Sequence, residues 1–443
     1  GRFDTGLALL REVLGAAGVY FPRRPAAVVV SLLLVRLVLW MRGLGLRKPS
    51  HAEASPTLLA RADATWSAGA GFAMTDNIRG AYFQARNLLV CLDIGDPPRA
   101  SHALAMEVCF RSAGGRTAEA RTAKLLAREW ELAKQVNTPT ALGMAHAATG
   151  YHHFMVGRWR EAARALAEAE IFFRDRCVGY TFHLNSARTM LYRSYSFLGE
   201  LRELAVRVPL VLHQARQQSD DYALVNLEAG PMIVLGLAED EAHRTRDDLR
   251  RTSQRLPRGA FLVQHYYALC AECQIDLYEG DGAAALGRLD AAWPALRRSL
   301  LLRVQSVRVQ MLEQRARSAL SAALSRTSAQ RDLLARAEAT TKQIEREGVA
   351  WASAMAAALR AGMASAVGDP KAPEAMKAAE ALLEGCHMGL HAAACRYRRG
   401  ALIGGSEGED RMREAETRFK AEGVRNVAKM AALYVAGHGA GDA

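Results

Sequence analysis

The chain has 443 residues, of which 50% are hydrophobic, 23% charged and 7% aromatic. This is enough apolar material for a large core, and abundant Ala and Leu with few β-branched runs disfavour a protein built on β-sheets. The net charge of +12 allows an anionic partner such as nucleic acid, but the charges are scattered along helical patterns, which favours ordinary basic surface positions. Residues 296–308, with four arginines, are the densest exception.

The first residues read GRFDTGLALLREVL, with Gly1 at a helix–helix corner and Leu10 and Val13 at core positions of the helix that follows. This pattern is typical of the second helix of a hairpin. We therefore expect the chain to be a fragment or processed product of a longer protein. The missing first helix should leave an apolar face exposed near Leu7, Leu10 and Leu14.

The most hydrophobic run covers 26–46. Its unbroken apolar stretch is shorter than the roughly 20 residues that a bilayer requires, and Arg36 interrupts it. A buried helix packed against the first hairpin is therefore favoured over a membrane span. A helix lying on a membrane surface stays open, because Arg42, Arg47 and Lys48 follow the run.

Helical hairpins then recur along the chain. A helix is predicted near 58–74 and an extra helix over 117–136, and the segment 222–255 is predicted to form a weaker hairpin. Pro209 should kink the helix that contains it. An apolar helix over 424–435 should cap the array. Corners are predicted at Gly95-Asp96-Pro97, Gly157, Gly199, Gly280-Asp281-Gly282, near Arg326, at Gly368-Asp369-Pro370 and at Gly404-Gly405. These corners give a period of roughly 40 to 44 residues.

The clearest hairpin is 149–173. Its second helix repeats apolar residues at steps of three and four, which places them on one face, and Gly157 ends the first helix where a left-handed residue is needed. The hairpin resembles the tetratricopeptide repeat at six places, which are Gly150, Gly157, Trp159, Ala162, Leu166 and Ala169. That resemblance implies a stacked solenoid, since one hairpin cannot bury its own apolar face.

The predicted fold is therefore all-α, a solenoid of tetratricopeptide-like hairpins with a long period of about 40 residues, against about 34 in the standard repeat. Four regions are expected. They are 1–48, a half repeat plus hydrophobic helix; 49–136, the first repeats; 137–300, the best-defined repeats; and 301–443, degenerate repeats with a capping helix.

Several phrases carry a closer resemblance. They are GRFDTGLALLREVL, DNIRGAYFQARNLL, GRWREAARALAEAEIFFRDRCVG, LGELRELAVRVP, QHYYALCAECQIDLYEGDGAAAL and AAWPALRRSLLLRVQ. Together they resemble the C-terminal helical-repeat region of large myxobacterial-type serine/threonine protein kinases, which carry a kinase domain and a signalling ATPase module before such repeats. The resemblance implies that this chain senses or docks, and holds those domains in a regulated arrangement.

The sequence carries no motif for catalysis, so we expect that this chain is not an enzyme and binds no cofactor. It lacks the glycine-rich and catalytic loops of kinases, the phosphate-binding loop of ATPases and the G-x-S-x-G of hydrolases. Seven scattered cysteines indicate a reducing cytoplasm, and Cys270 and Cys273 read as buried small hydrophobes in preference to a zinc pair. A structural role is likewise favoured over a metal site for the histidines, which are His146, His152, His153 and His183.

Binding positions are predicted on the concave face, where solenoids hold extended partners. Carrying over the groove positions of the repeat gives Tyr151, Phe154, Met155, Arg193, Phe197, Gln274, Leu277 and Tyr278. Packing by the following hairpin is the competing explanation for the aromatic residues.

A regulatory, protein-interaction role is the leading hypothesis, with the upstream kinase and ATPase domains of the same polypeptide as possible partners. A small-molecule sensor is the first alternative, motivated by the long repeat. Binding of a polyanion such as nucleic acid, with affinity that falls steeply with salt, is the second.

Overall fold

The computed structural model describes residues 2–47, 55–73, 76–257, 259–325 and 329–437, with the side chains of 2–8 and Pro25 left aside. The expectations at Gly1, at the Leu7 side chain, at Lys48 and at the corner near Arg326 lie outside the described residues. Every regular element in the described ranges is a helix, so the all-α prediction is confirmed.

The helices group into two compact units. The first unit comprises Gly1–His152 and Ala165–Leu184, and the second comprises His153–Arg164 and Asn185–Ala443. The helices of the first unit are α1 (Arg2–Ala16), α2 (Pro25–Arg42), α3 (Pro56–Ala73), α4 (Asn77–Ile94), α5 (Pro97–Ser112) and α6 (Glu119–Val136). Both units take residues from α7 (Pro139–Val156), α8 (Trp159–Asp175) and α9 (Thr181–Leu198).

The remaining helices belong to the second unit. They are α10 (Leu201–Gln217), α11 (Asp221–Glu228), α12 (Pro231–Ala238), α13 (Ala242–Ser253), α14 (Val263–Tyr278), α15 (Gly282–Arg298), α16 (Gln305–Leu324), α17 (Gln330–Glu345), α18 (Ala350–Ala366), α19 (Ala372–Gly385), α20 (Gly389–Ile403), α21 (Gly405–Ala421) and α22 (Val427–Tyr434). Within each unit, consecutive helices pack against each other, as in a helical repeat. The predicted period and the four predicted regions stay predictions.

The core of the first unit forms around α4, which packs against α2, α3 and α5. Tyr82, Phe83, Leu88 and Leu92 of this helix are fully buried. Phe83 stacks on Phe72 of α3 with ring centroids 5.8 Å apart. The apolar faces of neighbouring hairpins thus supply the burial that one hairpin lacks.

The predicted corners are confirmed wherever the structure describes them. Left-handed backbone angles occur at Gly95, Gly157, Gly199, Gly280, Gly368, Gly404 and Gly405. At two corners the aspartate after the glycine caps the next helix: Asp96 accepts from the Arg99 N–H and Asp281 from the Ala284 N–H. Both caps satisfy backbone donors that have no partner inside their own helix.

The prediction for the first helices is wrong in two respects. Helix α1 exposes apolar side chains as predicted, but they are Leu9 and Val13, and Val13 was predicted at a core position; Leu14, predicted on the exposed face, is fully buried. Residues 26–42 of the run 26–46 lie in α2, but only one side of this helix is covered: Leu33 is 61% and Trp40 79% exposed. The reason is that α2 is apolar on all sides and packs mainly against α4.

None of the helices in the described ranges is long and apolar enough to cross a membrane.

Further differences are local. The weak hairpin 222–255 is three short helices, α11 to α13, because Pro231 lacks a backbone N–H donor and starts a new helix after Gly230. Helix α10 runs through Pro209. On α15, Ala285 and Leu289 are fully buried, whereas Ala292, one turn further along, is only half-buried.

The second unit closes on itself through contacts between its early corners and its late helices. A methyl group added at Gly157 would overlap the indole of Trp351 on α18, and one added at Gly199 would overlap Leu390 on α20. These partners lie nearly two hundred residues apart, whereas an open stack brings together only sequence neighbours. The predicted stacking is therefore supplemented by long-range closure.

A third closing contact involves the polar corner between α12 and α13. The backbone N–H of Arg425 donates to the carbonyl of Ala238 at 2.8 Å. The Asp240 carboxylate accepts from Asn426 Nδ2 at 3.0 Å and from Lys429 Nζ at 3.2 Å. Helix α22 is thereby tied to an element from the middle of the chain.

Replacing Gly157 by Ala should therefore destabilise the protein more than replacing Gly280 by Ala. Both residues have left-handed backbone angles, with φ +83° and +82°, but only Gly157 faces a neighbour, Trp351. We expect Gly280→Ala to cost about 1–2 kcal/mol for backbone strain and Gly157→Ala about 1–3 kcal/mol more for the overlap. Urea unfolding measures both. Equal losses in the two variants would show that the Trp351 contact is absent.

Candidate functional site

The predicted binding residues of the second unit fall into two groups. Phe154, Met155, Leu277 and Tyr278 are buried side chains of the core. The others line one cavity of about 120 Å³, and they are Arg193, Phe197 and Gln274. Tyr151 belongs to the first unit and is half-buried. Use of any of these residues by a partner stays a prediction.

The cavity lies among the first helices of successive hairpins. Residues of α9, α12, α14, α16, α18, α20 and α22 form its walls. Apolar walls come from Phe197, Pro231, Val234, Met355 and Leu433, among others. Polar or charged side chains in the walls are Arg193, Ser196, Tyr267, Gln274, Gln310, Glu313, Gln314, Arg317, His391 and Tyr434.

Arg193 on α9 is held in place by α14 and α16. Its Nη2 donates to Gln310 Oε1 at 2.8 Å and to the Tyr266 hydroxyl at 3.3 Å. Its guanidinium carbon lies 4.6 Å from the ring centroid of Tyr267, within cation–π distance. No carboxylate among the described residues pairs with Arg193, and a guanidinium keeps its charge in proteins.

Gln310 fixes this arrangement. Its Oε1 also accepts from the Tyr266 hydroxyl at 2.8 Å, while its Nε2 donates to the Ser306 carbonyl at 3.0 Å. The amide is thus oriented by three hydrogen bonds, and it in turn orients the guanidinium of Arg193.

The second cation of the cavity wall is neutralised. Arg317 Nε lies 3.0 Å from Glu313 Oε1, one turn away on α16, and Arg317 Nη1 donates to the Leu433 carbonyl. Burial raises the pKa of Glu313, and the attraction of Arg317 opposes that shift. The two charges cancel, and the hydrogen bond to Leu433 ties α16 to α22.

Three polar atoms of the cavity residues have no hydrogen-bond partner in the described ranges, namely Gln314 Oε1, His391 Nδ1 and Arg317 Nε, of which Arg317 Nε lies within ion-pair distance of Glu313 Oε1. Gln314 is 3% exposed, and its Nε2 donates to the Cys270 carbonyl at 3.1 Å. Burial, with Arg317 nearby, lowers the pKa of His391 to about 3, so that this imidazole is neutral. Unsatisfied buried polar atoms are rare and call for a physical reason.

The residues of α16 in the cavity were missed from the sequence, although a signal was present. Gln310, Glu313, Gln314 and Arg317 recur at steps of three, one and three, so that one helical face is polar. Such a polar stripe on a helix that is otherwise rich in small and apolar residues indicates a buried polar surface. His391 and Tyr434 had no comparable signal, because only the closure of the second unit brings them to this place.

The histidines and cysteines singled out from the sequence do not meet as metal ligands. No group of three or more His, Cys, Asp or Glu side chains with metal-binding geometry occurs in the described ranges. In the first unit, His183 stacks on Trp66 with ring centroids 5.9 Å apart, and burial lowers its pKa to about 4. Cys273 is fully buried, and burial raises the pKa of the Cys270 thiol to about 12.

One buried carboxyl group in the first unit was also missed. Glu129 of α6 is fully buried, and its Oε1 accepts a 2.9 Å hydrogen bond from the Ser101 hydroxyl. Burial raises the pKa of Glu129 to about 9, partly opposed by this hydrogen bond. The group is therefore a neutral acid at pH 7.

Fold and site together define the class of the protein: an all-α chain of consecutively packed helices whose second unit contains a polar cavity. No protein-family model matches the chain, and none of the curated proteins is significantly similar to it.

The neutral state of Glu129 predicts a pH dependence. Because its pKa is about 9 in the folded protein and about 4.5 otherwise, unfolding releases a proton between these values, and stability falls as pH rises through that window. Glu129→Gln should remove this loss, which is at most about 1.4 kcal/mol per pH unit. Urea titrations from pH 5 to 9 measure the difference between variant and wild type.

The matched control is Glu131→Gln, on the exposed side of the same helix, which should follow the wild type. A difference between Glu129→Gln and the wild type that stays constant with pH would mean that Glu129 is ionised in the folded protein.

Proposed function

We propose that this chain is a non-catalytic regulatory region, a long-period tetratricopeptide-like solenoid that serves as the sensor arm of a larger signalling kinase–ATPase. The proposal that the parent protein is a kinase–ATPase rests on the resemblance of several sequence segments to such regions. The polar cavity of the second unit carries the sensing role. Within this proposal, a small molecule bound in the cavity is the signal.

The chemistry of the cavity walls supports a ligand. Burying a charged or polar group is unfavourable unless a partner compensates it. A wall that only had to pack would be mainly apolar, yet Arg193 and Gln314 keep donors and acceptors without protein partners in the described ranges. A bound molecule with complementary groups supplies those partners.

The position of the cavity supports signalling. Its walls come from helices between α9 and α22, so that one ligand contacts segments from across the second unit. A ligand that binds the closed arrangement more tightly than an open one shifts the equilibrium towards the closed arrangement by the difference between its two binding free energies. Closure of the array is the change that a neighbouring domain then detects.

A docking role is the second candidate, and the uncovered side of α2 favours it. Val30, Leu33, Leu37, Trp40 and Met41 are exposed large apolar residues on this helix. Exposed apolar patches mark interaction surfaces. Copurification with the kinase and ATPase domains of the parent checks this role, and failure to retain any partner would refute it.

The basic surface gives less support to a polyanion partner. In the densest segment, 296–308, Arg308 forms two hydrogen bonds with the Glu347 carboxylate. Many other arginines pair with acidic residues three or four positions away, as Arg207 does with Glu203. Cations engaged in this way are less available to phosphates.

The sensing role predicts stabilisation by a metabolite. The whole chain is heated with each member of a library of small anionic, neutral and cationic metabolites, and unfolding is followed by fluorescence. A ligand of the folded state at 100 times its Kd should stabilise by about 2.7 kcal/mol and so raise Tm. A library in which no compound raises Tm would contradict the sensing role.

A further inference from the structure

We propose that the cavity of the second unit binds a small organic acid with a single carboxylate and at least one N–H or O–H donor. Arg193 holds the carboxylate, and Gln314 Oε1 accepts from the donor. The assignment rests on the proposed sensing role and names the ligand class for the same cavity.

The charges of the cavity walls set the charge of the ligand. Glu313 and Arg317 form a pair, and His391 is neutral. Arg193 is therefore the one cation among the described wall residues that lacks a carboxylate partner. A single negative charge on the ligand compensates it, and a buried charge is tolerated when it is paired in this way.

The free donors of Arg193 set the kind of anion. Only Nη2 has protein acceptors among the described residues, so the N–H groups of Nε and Nη1 are available. A guanidinium presents its donors in a planar fork that suits carboxylate and phosphate oxygens. A phosphate monoester carries up to about two charges at pH 7, which is more than the single unpaired cation Arg193 compensates. A monocarboxylate carries one negative charge and matches it.

Preorganisation strengthens this site. Gln310 and the Tyr266 hydroxyl hold Nη2, and the Tyr267 ring lies against the guanidinium. A donor group locked in this way loses little freedom when a ligand arrives.

Gln314 determines which group the ligand carries besides its carboxylate. Its Nε2 donates to the Cys270 carbonyl, which leaves Oε1 as the free atom of the amide, and this orientation follows from the acceptor character of the carbonyl. An amide oxygen accepts and cannot donate. The ligand must therefore bring an N–H or O–H group.

The size of the cavity limits the ligand. About 120 Å³ accommodates on the order of ten water molecules. A ligand of similar size has on the order of ten non-hydrogen atoms. Phe197, Val234, Met355 and Leu433 offer apolar contacts to its hydrocarbon part. Hydroxy acids with apolar side chains meet all three requirements of charge, donor and size, whereas an amino acid also carries an ammonium group that brings its net charge to zero at pH 7.

Calorimetric titration of the whole chain tests the assignment. The probes are the amino acids leucine and phenylalanine and the hydroxy acids 2-hydroxyisocaproate and phenyllactate. Their methyl esters or amides are the comparators that lack the carboxylate, and 4-methylvalerate and 3-phenylpropionate are the comparators that lack the donor. Inorganic phosphate is the comparator for the kind of anion. We expect binding of one or both hydroxy acids, weaker binding of the zwitterionic amino acids, and at least about tenfold weaker binding of the ester or amide and of the donor-free acid that match the hydroxy acid, because each lacks one charged or hydrogen-bonded contact.

Three variants and one control variant locate the site. Arg193→Met should weaken binding of the acid at least about tenfold, whereas Arg413→Met, the same change at an exposed arginine, should leave it unchanged. Gln314→Leu should remove the advantage of the hydroxy acid over its donor-free analogue. Ser196→Phe, which places a ring in the cavity and leaves Arg193 intact, should abolish binding while circular dichroism shows unchanged helix content.

The outcomes separate this inference from the sensing role. Binding only of neutral, cationic or phosphate compounds, or binding of acids that Ser196→Phe leaves unchanged, would overturn the assignment while sensing stands. If neither these probes nor any compound of the metabolite library binds, both proposals fail. If Arg193→Met does not fold, the Ser196→Phe and Gln314→Leu results decide.

Discussion

The second unit depends on the contact between the Gly157 corner and Trp351. Gly157 supplies a left-handed turn without a side chain, and the Trp351 indole occupies the space that a Cβ atom would fill. Trp159, two residues after the corner, is buried, stacks on Phe197 with ring centroids 4.1 Å apart and meets Trp351 edge-on at 5.4 Å. Such aromatic contacts add specific geometry to apolar burial. Because they join α8 to α18, the second unit closes, and the cavity follows from that closure.

Closure explains why polar side chains collect inside a helical array. In an open stack the concave side faces water, and Arg193, Gln314 and Arg317 would be solvated there. Bringing α16, α20 and α22 across from α9 removes water from these groups, and the array compensates for most of the loss through the Gln310 amide and the Glu313–Arg317 pair. The atoms left without a protein partner in the described ranges are the ones that give the cavity its chemistry.

Local signals made most of the helical hairpins predictable from the sequence. Glycine corners such as Gly199 and Gly280, and caps such as Asp281, act within one turn of the chain, and the structure bears them out. The groove positions carried over from the repeat also included Arg193, Phe197 and Gln274, which line the cavity. What stayed unpredictable is nonlocal: His391 and Tyr434 reach the cavity by closure, and the uncovered side of α2 depends on which neighbours pack there. Gly230 and Pro231 are a local signal for the break between α11 and α12, which the prediction of one weaker hairpin over 222–255 did not include.

A double-mutant cycle between Trp159 and Trp351 tests closure most directly, because these residues are far apart in sequence. Trp159→Leu, Trp351→Leu and the double variant are unfolded with urea, and the coupling free energy is the departure of the double variant from the sum of the single ones. Contact between the rings predicts a coupling of about 0.5–1.5 kcal/mol. Changes that add within about 0.3 kcal/mol, as for distant independent sites, would contradict the closed arrangement and with it the cavity.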